Sequence, residues 1–367
     1  MKKILSILLS TFLIFNLQAT EIDWKKNFVD GNPEIKSISG VAFGPDNILF
    51  IGDAISAQVV AVDLSEHVSE MPAEFQNINN VDELIATKLG TYKDQIEITD
   101  MVVHPESKNI FLTVKHGSGQ SILFKVVGET INWIDLTEIS HSKMKIAEPI
   151  ATDAVDRRER PLRKWAISDL SYSNGKVMLT GLSNKEFGST FRSMDFPFVD
   201  DQSFGSLEIY HAAHGKYETN SPVKAFTTLE LQGEQHVIAS YTCTPLVVFP
   251  VADLKKGEHT KGRTIAELGN WNTPLDIIEL ENEGERFILI ANSARALMKI
   301  SVADIEAFDE SLTTPVEERS ATAGVDFINL PFVNVQQLDK YEDNTFVMLQ
   351  RTADGNLVLK QGASRWL

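Results

Sequence analysis

The chain has 367 residues and only one cysteine, Cys243. A single cysteine cannot form an intramolecular disulfide, so in an oxidising compartment the hydrophobic core has to stabilise the fold. The sequence contains neither the phosphate-binding GxxxxGK[ST] motif nor the GxSxG motif of serine hydrolases, and the Gly117-Ser-Gly119 segment lacks the third glycine of a dinucleotide-binding loop. These absences argue against nucleotide chemistry and serine hydrolysis.

Positive charge is also scarce. The sequence has 34 Lys and Arg residues against 51 Asp and Glu residues, which gives a formal net charge of −17. Nucleic acids and anionic membrane surfaces repel such a protein, so we expect neither as a partner. The acidic surface favours solubility, and it also tolerates bound cations.

Long apolar runs are confined to the start of the chain. Residues 1–3 are basic, residues 4–17 are mostly apolar, and Ala19 offers a small residue for cleavage. This pattern predicts a signal peptide over residues 1–19, followed by a single domain over residues 20–367. No later stretch reaches the roughly 20 apolar residues of a membrane helix, and no cysteine near residue 19 could carry a lipid. We therefore expect a periplasmic or secreted protein that is not a lipoprotein.

A repeat of β-hairpins runs through the remaining sequence. Residues 226–253 and 275–304 both read as strand, tight turn, strand, short loop, strand, and four more segments follow the same order. The equivalent first-strand positions are Gly40, Asp100, Asp169, Thr227, Asp276 and Asn334, which are separated by 60, 69, 58, 49 and 58 residues. A period of this length predicts an all-β propeller with six blades.

Chain length suggests how the ring closes. Residues 334–367 and 20–39 together have the length of one blade, which predicts that the N-terminal strand completes the last blade. A seventh blade is the alternative, if the long insertion at 141–166 hides one.

The segment Gly-Val-Ala-Phe-Gly-Pro-Asp-Asn-Ile-Leu-Phe-Ile-Gly-Asp at residues 40–53 resembles the inner hairpin of six-bladed NHL-type and gluconolactonase/strictosidine-synthase-like propellers. That group includes metal-dependent lactonases and phosphotriesterases, non-hydrolytic enzymes and binding scaffolds. The resemblance implies the fold without choosing among these functions. The hydrolases of the group seat a metal ion with Asp, Glu and Asn side chains at one mouth of the channel.

Blade geometry brings two sets of residues to one mouth, because each inner strand starts where the loop after the second strand lies. The strand starts contribute Asp100, Asp169, Asp276 and Asn334, and the loops contribute Asp53, Lys115, His116, Ser183, Asn184, Cys243, Asn292 and Arg351. Converging carboxylates repel one another, so they have to take up protons, bind a cation, or pair with Lys115 and Arg351.

Three functions follow from this mouth. In the first, Asp100, Asp169, Asp276 and Asn334 bind a divalent metal, with Ca²⁺ favoured by oxygen ligands, and an Asp such as Asp100 or Asp169, or His116, activates water in a hydrolase or lactonase. In the second, the acidic residues bond backbone amides, and a monomeric, non-catalytic propeller binds a small molecule, a peptide or a protein. In the third, Cys243 and His116 share a copper ion or another redox metal.

The insertions at 141–166 and 185–205 are expected to project as binding loops. The first carries Arg157, Arg158, Arg160, Arg163 and Lys164, and the second carries five Phe residues and Arg192, so a ligand with apolar and anionic parts is expected. Packing of the Phe rings on the blades is the alternative. The expected ligand-binding residues are Asp53, Lys115, Asn184, Arg192, Cys243, Asn292 and Arg351. His211 and His214 fall in a predicted strand, which would point them to opposite faces, so they are interpreted as structural.

Overall fold

The computed structural model describes residues 22–68, 74–362 and 367, so the predicted signal peptide at 1–19 lies outside the described residues. Strands dominate, because runs of β-branched and aromatic residues alternate with turns rich in Gly, Asn and Pro. No helix within the described ranges is long and apolar enough to cross a membrane.

The first two units of the chain contain nine strands and one helix. The first unit comprises β1 (Val29–Gly31), β2 (Gly40–Phe43), β3 (Ile48–Asp53) and β4 (Gln58–Asp63). The second comprises α1 (Val81–Lys88), β5 (Ile96–Val103), β6 (Ile110–His116), β7 (Ser121–Val127) and β8 (Thr130–Ile134), and it is followed by β9 (Ile139–Lys145).

The third and fourth units carry the longest strands. The third comprises β10 (Asp169–Ser173), β11 (Lys176–Leu182), β12 (Ser189–Asp195), β13 (Gln202–His211) and β14 (Lys216–Glu218). The fourth comprises β15 (Val223–Leu231), β16 (Glu234–Tyr241), β17 (Pro245–Pro250), β18 (His259–Lys261) and β19 (Arg263–Glu267). Short 3-10 helices lie at Lys93–Gln95, Arg163–Trp165, Ala212–His214 and Val251–Asp253.

The last two units are simpler. The fifth comprises β20 (Pro274–Asn282), β21 (Glu285–Asn292), β22 (Met298–Ser301), α2 (Val302–Ala307), β23 (Ala323–Gly324) and β24 (Ile328–Asn329). The sixth comprises β25 (Val335–Glu342), β26 (Thr345–Arg351) and β27 (Leu357–Gly362).

Each unit provides the inner antiparallel strands of one blade, and we number the blades 1 to 6 by the order of their inner strands β2, β5, β10, β15, β20 and β25. Three blades include an outer strand from elsewhere in the chain. Strand β18 of the fourth unit pairs in parallel with β13 of blade 3. Strand β9 follows blade 2 in sequence but pairs with β4, and β1 pairs with β9, so both complete blade 1. Strand β23 extends blade 4 by pairing with β19.

The blades do not follow one another around the ring in chain order. Inner strand β2 contacts both β5 and β10, while β5 also contacts β25. The ring therefore runs blade 2, blade 1, blade 3, blade 4, blade 5, blade 6 and back to blade 2. The chain steps backwards once, from blade 1 to blade 2, and returns past blade 1 through β9 before it starts blade 3.

The hydrophobic core has the same order. Six apolar clusters fill the six seams between neighbouring blades. Phe50 of blade 1 packs with Leu179 of blade 3, and Ile51 of blade 1 packs with Phe111 of blade 2. Val114 of blade 2 packs with Leu349 of blade 6. Because each seam is apolar, the ring closes without a disulfide.

The six-bladed all-β architecture is confirmed, whereas the predicted closure by the N-terminal strand is wrong. Strand β1 lies in blade 1, and blade 6 has only its own three strands, with a single bridge from Ile78 to Leu359 at its edge. The prediction fails because the chain runs from blade 1 back to blade 2 in the order of the ring. Blade 2 therefore lies beside blade 6, and the N-terminal strand does not. The insertion at 141–166 forms no seventh blade, since its beginning belongs to β9.

Candidate functional site

A central channel of about 770 Å³ is lined by all six inner strands. Seven acidic side chains line it, and four of them are the carboxylates of Asp100, Asp169, Asp276 and Asp339. The structure thus brings together the three aspartates that the repeat predicts to converge. The cavity extends from them toward the hairpin turns at Lys108 and Asp343, and none of the predicted loop residues lines it.

Each of these carboxylates makes the same two hydrogen bonds. The Oδ1 atom accepts the backbone N–H of the next residue at 2.7–2.8 Å. The Oδ2 atom accepts a backbone N–H from the inner strand of the neighbouring blade, at 2.5–2.8 Å. The bonds across the seams join Asp100 to Val41, Asp169 to Phe226, Asp276 to Leu338 and Asp339 to Val103. One residue type therefore clamps four of the six seams in the described ring.

Burial in the channel raises the pKa of these carboxyl groups, since the charged form is poorly solvated. The pKa of Asp100 rises to about 7 and that of Asp339 to about 7. Burial, with repulsion from Asp100, raises the pKa of Asp169 to about 8, and burial with the same repulsion raises the pKa of Asp276 well above its ordinary value. Around neutral pH the channel therefore holds protons as well as negative charge.

Asp339 is the channel residue that the repeat missed. Comparison of the repeat units predicts Asn334 at this position. Asn334 is instead exposed and precedes β25, and its backbone is left-handed with φ 57°. Its carbonyl accepts the Arg351 N–H, and its side chain does not line the channel. Asp339 lies five residues further along the chain, inside β25 and opposite Val347, so counting residues from the loop leads to the wrong position.

Two predicted ligand-binding residues are engaged within their own loops. The buried Asp53 carboxylate accepts hydrogen bonds from the backbone of residues 36, 37 and 56 and from the side chains of Ser37 and Gln58. The buried Asn292 amide donates to the carbonyls of Ile290 and Ala296 and accepts from Asn272. Both side chains organise loops, and neither lines the channel.

Other predicted loop residues are dispersed over the surface. Lys115 pairs with Glu97 in the strand register, and His116 Nδ1 lies 2.8 Å from Ser118 Oγ beside a separate 560 Å³ pocket. The backbone of the exposed Asn184 bonds Glu148, and Arg351 donates to the Gly355 carbonyl. Neither Lys115 nor Arg351 forms an ion pair with a channel carboxylate in the described chain. The alternative in which the channel carboxylates pair with these cations is therefore wrong.

Arg192 is fully buried and is held by uncharged groups. Its guanidinium donates to the Ala147 carbonyl at 3.1 and 3.3 Å and to Thr190 Oγ1 at 2.6 Å. It also lies 4.6 Å from the centre of the Phe204 ring. Burial lowers its pKa to about 9. Arg192 ties the segment after β9 to blade 3, so it positions the flank of the molecule and does not reach the channel.

The segment 185–205 is not a projecting loop, because it forms β12 and the start of β13 within blade 3. Phe191, Phe196 and Phe198 pack into the seams on either side of that blade, as the packing alternative expects. Only Phe187 and Phe204 face outward, where they line a cleft of about 700 Å³. Strand formation overrides the loop prediction because the Phe-rich run alternates with polar residues along β12.

This flank cleft lies between blade 3 and the segment that follows β9. Its walls are residues 144–148, 185–187, 200–206 and 256–259. Phe187 stacks on His259 with ring centres 4.2 Å apart. The Arg and Lys side chains of the 157–164 segment lie elsewhere, so the basic rim expected from the sequence is not part of the cleft.

The flank cleft carries an excess of negative charge. Lys185 pairs with Glu148 at 3.3 Å, and Lys256 pairs with Asp201 at 2.6 Å. The carboxylates without an ion pair among the described residues are Glu186, Asp200 and Glu258. An acidic, partly aromatic cleft favours a ligand with a positive charge and an apolar part.

Cys243 lies in the turn between β16 and β17 of blade 4, far from His116. Blade 4 and blade 2 are three steps apart in the six-membered ring, so the expected pairing of these two residues is wrong. The imidazoles near Cys243 belong to His211 and His214, and the three ligand atoms lie within 4.8 Å of one another. The sequence missed this cluster because β13 ends at His211, where a 3-10 turn replaces the strand.

No protein-family model matches the chain, and no curated protein matches it. Its structure is similar to a chain of the mitotic checkpoint complex, at 9% identity with a TM-score of 0.33, covering 95% of this chain and 98% of that one. It is also similar to an oxidoreductase (glucose dehydrogenase) from Thermus thermophilus, at 10% identity with a TM-score of 0.30, covering 91% and 99%.

A third similar structure is Raptor from Chaetomium thermophilum, at 11% identity with a TM-score of 0.30, where the match covers 90% of this chain and 25% of that one. At these TM-scores the similarities say nothing about function. The resemblance to NHL-type and gluconolactonase-like propellers stays a prediction.

Proposed function

We propose that the chain is a non-catalytic binding propeller whose ligand occupies the flank cleft, while the channel carboxylates hold the blades together. The observation that carries this proposal is the repeated clamp. Both oxygens of Asp100, Asp169, Asp276 and Asp339 accept backbone N–H groups, and one of the two bonds always crosses a seam. Repetition at four seams is what an architectural role requires, whereas a catalytic metal centre would use a set of oxygens at one place.

The flank cleft supports the second half of the proposal, because its charge and shape suit a defined class of ligand. Glu186, Asp200 and Glu258 supply negative charge beside the Phe187 ring. One face of Phe204 is occupied by the Arg192 guanidinium and one face of Phe187 by the His259 ring, so a ligand cation would use the remaining face of either ring. We propose that the ligand is an organic cation with an apolar or aromatic part.

Three aromatic probes of different charge test the ligand class: benzyltrimethylammonium, benzyl alcohol and benzoate, titrated calorimetrically at low ionic strength. We expect the cation to bind most tightly and benzoate least tightly. The variant Glu186→Gln/Asp200→Asn/Glu258→Gln should lose about tenfold in affinity for the cation and little for the alcohol, because only the charge interaction is removed. Phe187→Ala should weaken both.

A control variant removes the same number of charges elsewhere, through Glu129→Gln, Glu234→Gln and Glu310→Gln, which are exposed and outside the cleft. It should bind the cation within about twofold of the original chain. Equal losses in the two triple variants, or tighter binding of benzoate, would contradict the ligand class. Chelator-sensitive lactone or ester hydrolysis that disappears in Asp169→Asn would replace the binding function with the hydrolase alternative.

A further inference from the structure

Three side chains that can bind a metal meet where blade 3 faces blade 4. His211 ends β13, and the 3-10 helix Ala212–His214 turns the chain so that His214 returns to the same side. Gly215 closes this turn with φ 63°, a conformation that suits glycine. The imidazole rings of His211 and His214 lie with their centres 3.9 Å apart and tilted by 40°.

The third side chain comes from a strained turn. Cys243 and Thr244 are consecutive non-glycine residues with φ of 66° and 62°. Left-handed backbone at such residues is unfavourable and persists only where the surroundings impose it. The turn is held by bonds from the Cys243 N–H to the Asn272 carbonyl and from Thr244 Oγ1 to the Gly269 carbonyl. It places Cys243 Sγ within 4.8 Å of a ring nitrogen of each histidine.

One carboxylate orients both imidazoles. Glu218 Oε2 lies 3.0 Å from His211 Nδ1, and Glu218 Oε1 lies 2.7 Å from His214 Nδ1. Because a carboxylate accepts hydrogen bonds, each Nδ1 carries the proton and each Nε2 keeps its lone pair for another partner. Carboxylates that orient metal-binding imidazoles in this way are the usual outer partners of metal sites. Ser221 Oγ donates to the same carboxylate at 2.9 Å and keeps it in place.

The Nε2 atom of His211 accepts no hydrogen bond from the described residues. The His211 side chain is 2% exposed, and among the described residues its Nε2 atom has no hydrogen-bond partner. A buried nitrogen without a partner is unfavourable, and a structural histidine normally finds one. The unpaired Nε2 atom is an observation independent of the strained turn at Cys243. It indicates that a bound group interacts with this nitrogen.

We propose that His211, His214 and Cys243 bind a late first-row transition-metal ion of the zinc or copper type, with Glu218 as the positioning residue. Two imidazoles and a thiolate are borderline or soft donors, which suit zinc and copper and disfavour Ca²⁺ or Mg²⁺. Ligand atoms around a tetrahedral ion lie roughly 3.4 Å apart at bond lengths of about 2.0–2.3 Å, so small side-chain rotations close the set.

An oxygen donor lies at the same turn. Glu267 is fully buried, and its Oε2 accepts the Ala213 N–H at 3.1 Å, between the two histidines in sequence. Its Oε1 has no partner among the described residues. Glu267 is not among the ligand atoms that lie within 4.8 Å of one another, so with three protein donors a water molecule would complete four-coordination.

Metal titration of the purified chain after chelation tests the proposal. We expect one Zn²⁺ per chain in competition with a chelating indicator, and Co²⁺ substitution should give a thiolate-to-metal charge-transfer band that disappears in Cys243→Ser. Glu218→Gln removes a residue that positions the ligands and should lower the affinity for zinc by about 10- to 100-fold. His214→Ala removes a ligand and should lower it further.

Folding does not obscure this test, because the His214 side chain is 45% exposed and its removal leaves no buried cavity. The matched control is His116→Ala, a histidine on the opposite side of the ring, whose zinc affinity should equal that of the original chain. A chain that binds less than about a tenth of an equivalent of Zn²⁺, Cu²⁺ and Co²⁺ overturns the proposal. Unchanged affinity in both Cys243→Ser and His214→Ala overturns it as well.

Discussion

The central channel and the cluster around Cys243 both gather ionisable side chains, but they satisfy them differently. In the channel the carboxylates of Asp100, Asp169, Asp276 and Asp339 each accept two backbone N–H groups, and the arrangement recurs at four seams. Around Cys243 the arrangement occurs once, and His211 Nε2 and Glu267 Oε1 are buried with no partner in the described chain. The aspartate hydrogen bonds that recur from blade to blade stabilise the ring. The cluster of His211, His214 and Cys243 occurs once and has buried atoms without partners, so it is able to bind a metal ion.

Among single substitutions, the largest effect on stability is expected from breaking a channel clamp. Asp276→Ala leaves the N–H groups of Ile277 and Leu338 without their acceptor, and each such loss costs roughly 1–3 kcal/mol. Relief of carboxylate burial offsets part of this, so we expect the free energy of unfolding to fall by about 2 kcal/mol in denaturant titrations. Asp343→Asn, an exposed acid at the channel end, should change it by less than about 0.5 kcal/mol. Equal effects would remove the distinction between clamps and surface acids.

Metal binding should stabilise the chain by a comparable amount. Zinc at 100 times its dissociation constant should raise the free energy of unfolding by about 2.7 kcal/mol, because it binds the folded form only. The same addition to Cys243→Ser should have no such effect, and Mg²⁺ should stabilise neither form. Equal stabilisation of both chains by zinc would mean that the ion binds elsewhere, for example in the channel.

The channel also predicts how stability depends on pH. The raised pKa values of about 7 for Asp100 and Asp339 and about 8 for Asp169 mean that the folded chain holds protons that the unfolded chain releases near pH 4. The free energy of unfolding should therefore fall as pH rises from about 5 to about 8. Asp169→Asn should flatten the curve, and a free energy that rises over this range would contradict the assignment.

The smallest effect is expected at His116. This side chain contacts Ser118 on blade 2 and touches neither the channel nor Cys243. His116→Ala should change the free energy of unfolding by less than about 0.5 kcal/mol in denaturant titrations. A large loss of stability or of zinc affinity would restore the Cys243–His116 pair that the sequence suggested.

The sequence predicts those features of the fold and of the channel that recur in the repeat units. The spacing of the hairpins predicts six blades, and the acidic residue at the start of the inner strands predicts that Asp100, Asp169 and Asp276 converge. The sequence does not predict the order of the blades, because β9 returns to blade 1 through a pairing distant along the chain. The prediction that the N-terminal strand closes the ring rests on chain length alone. It is wrong because chain length does not show which strands pair.

The residues of the metal cluster escape prediction for local reasons. Alternation along β13 would separate His211 from His214, but the strand ends at His211 and a turn of three residues reunites them. Asp339 lies inside β25, five residues beyond Asn334, so the position at the strand start does not reveal it. Strand ends and bulges depend on tertiary contacts, so the period of the repeat carries no information about them.

Elemental analysis of metal content and thermal unfolding, measured together on His214→Ala and Asp276→Asn, test the division of roles most directly. We expect His214→Ala to lose the zinc or copper and to unfold near the temperature of the metal-free original chain, whereas Asp276→Asn should keep the metal and unfold at a lower temperature. Retention of metal in His214→Ala together with its loss from Asp276→Asn would contradict it.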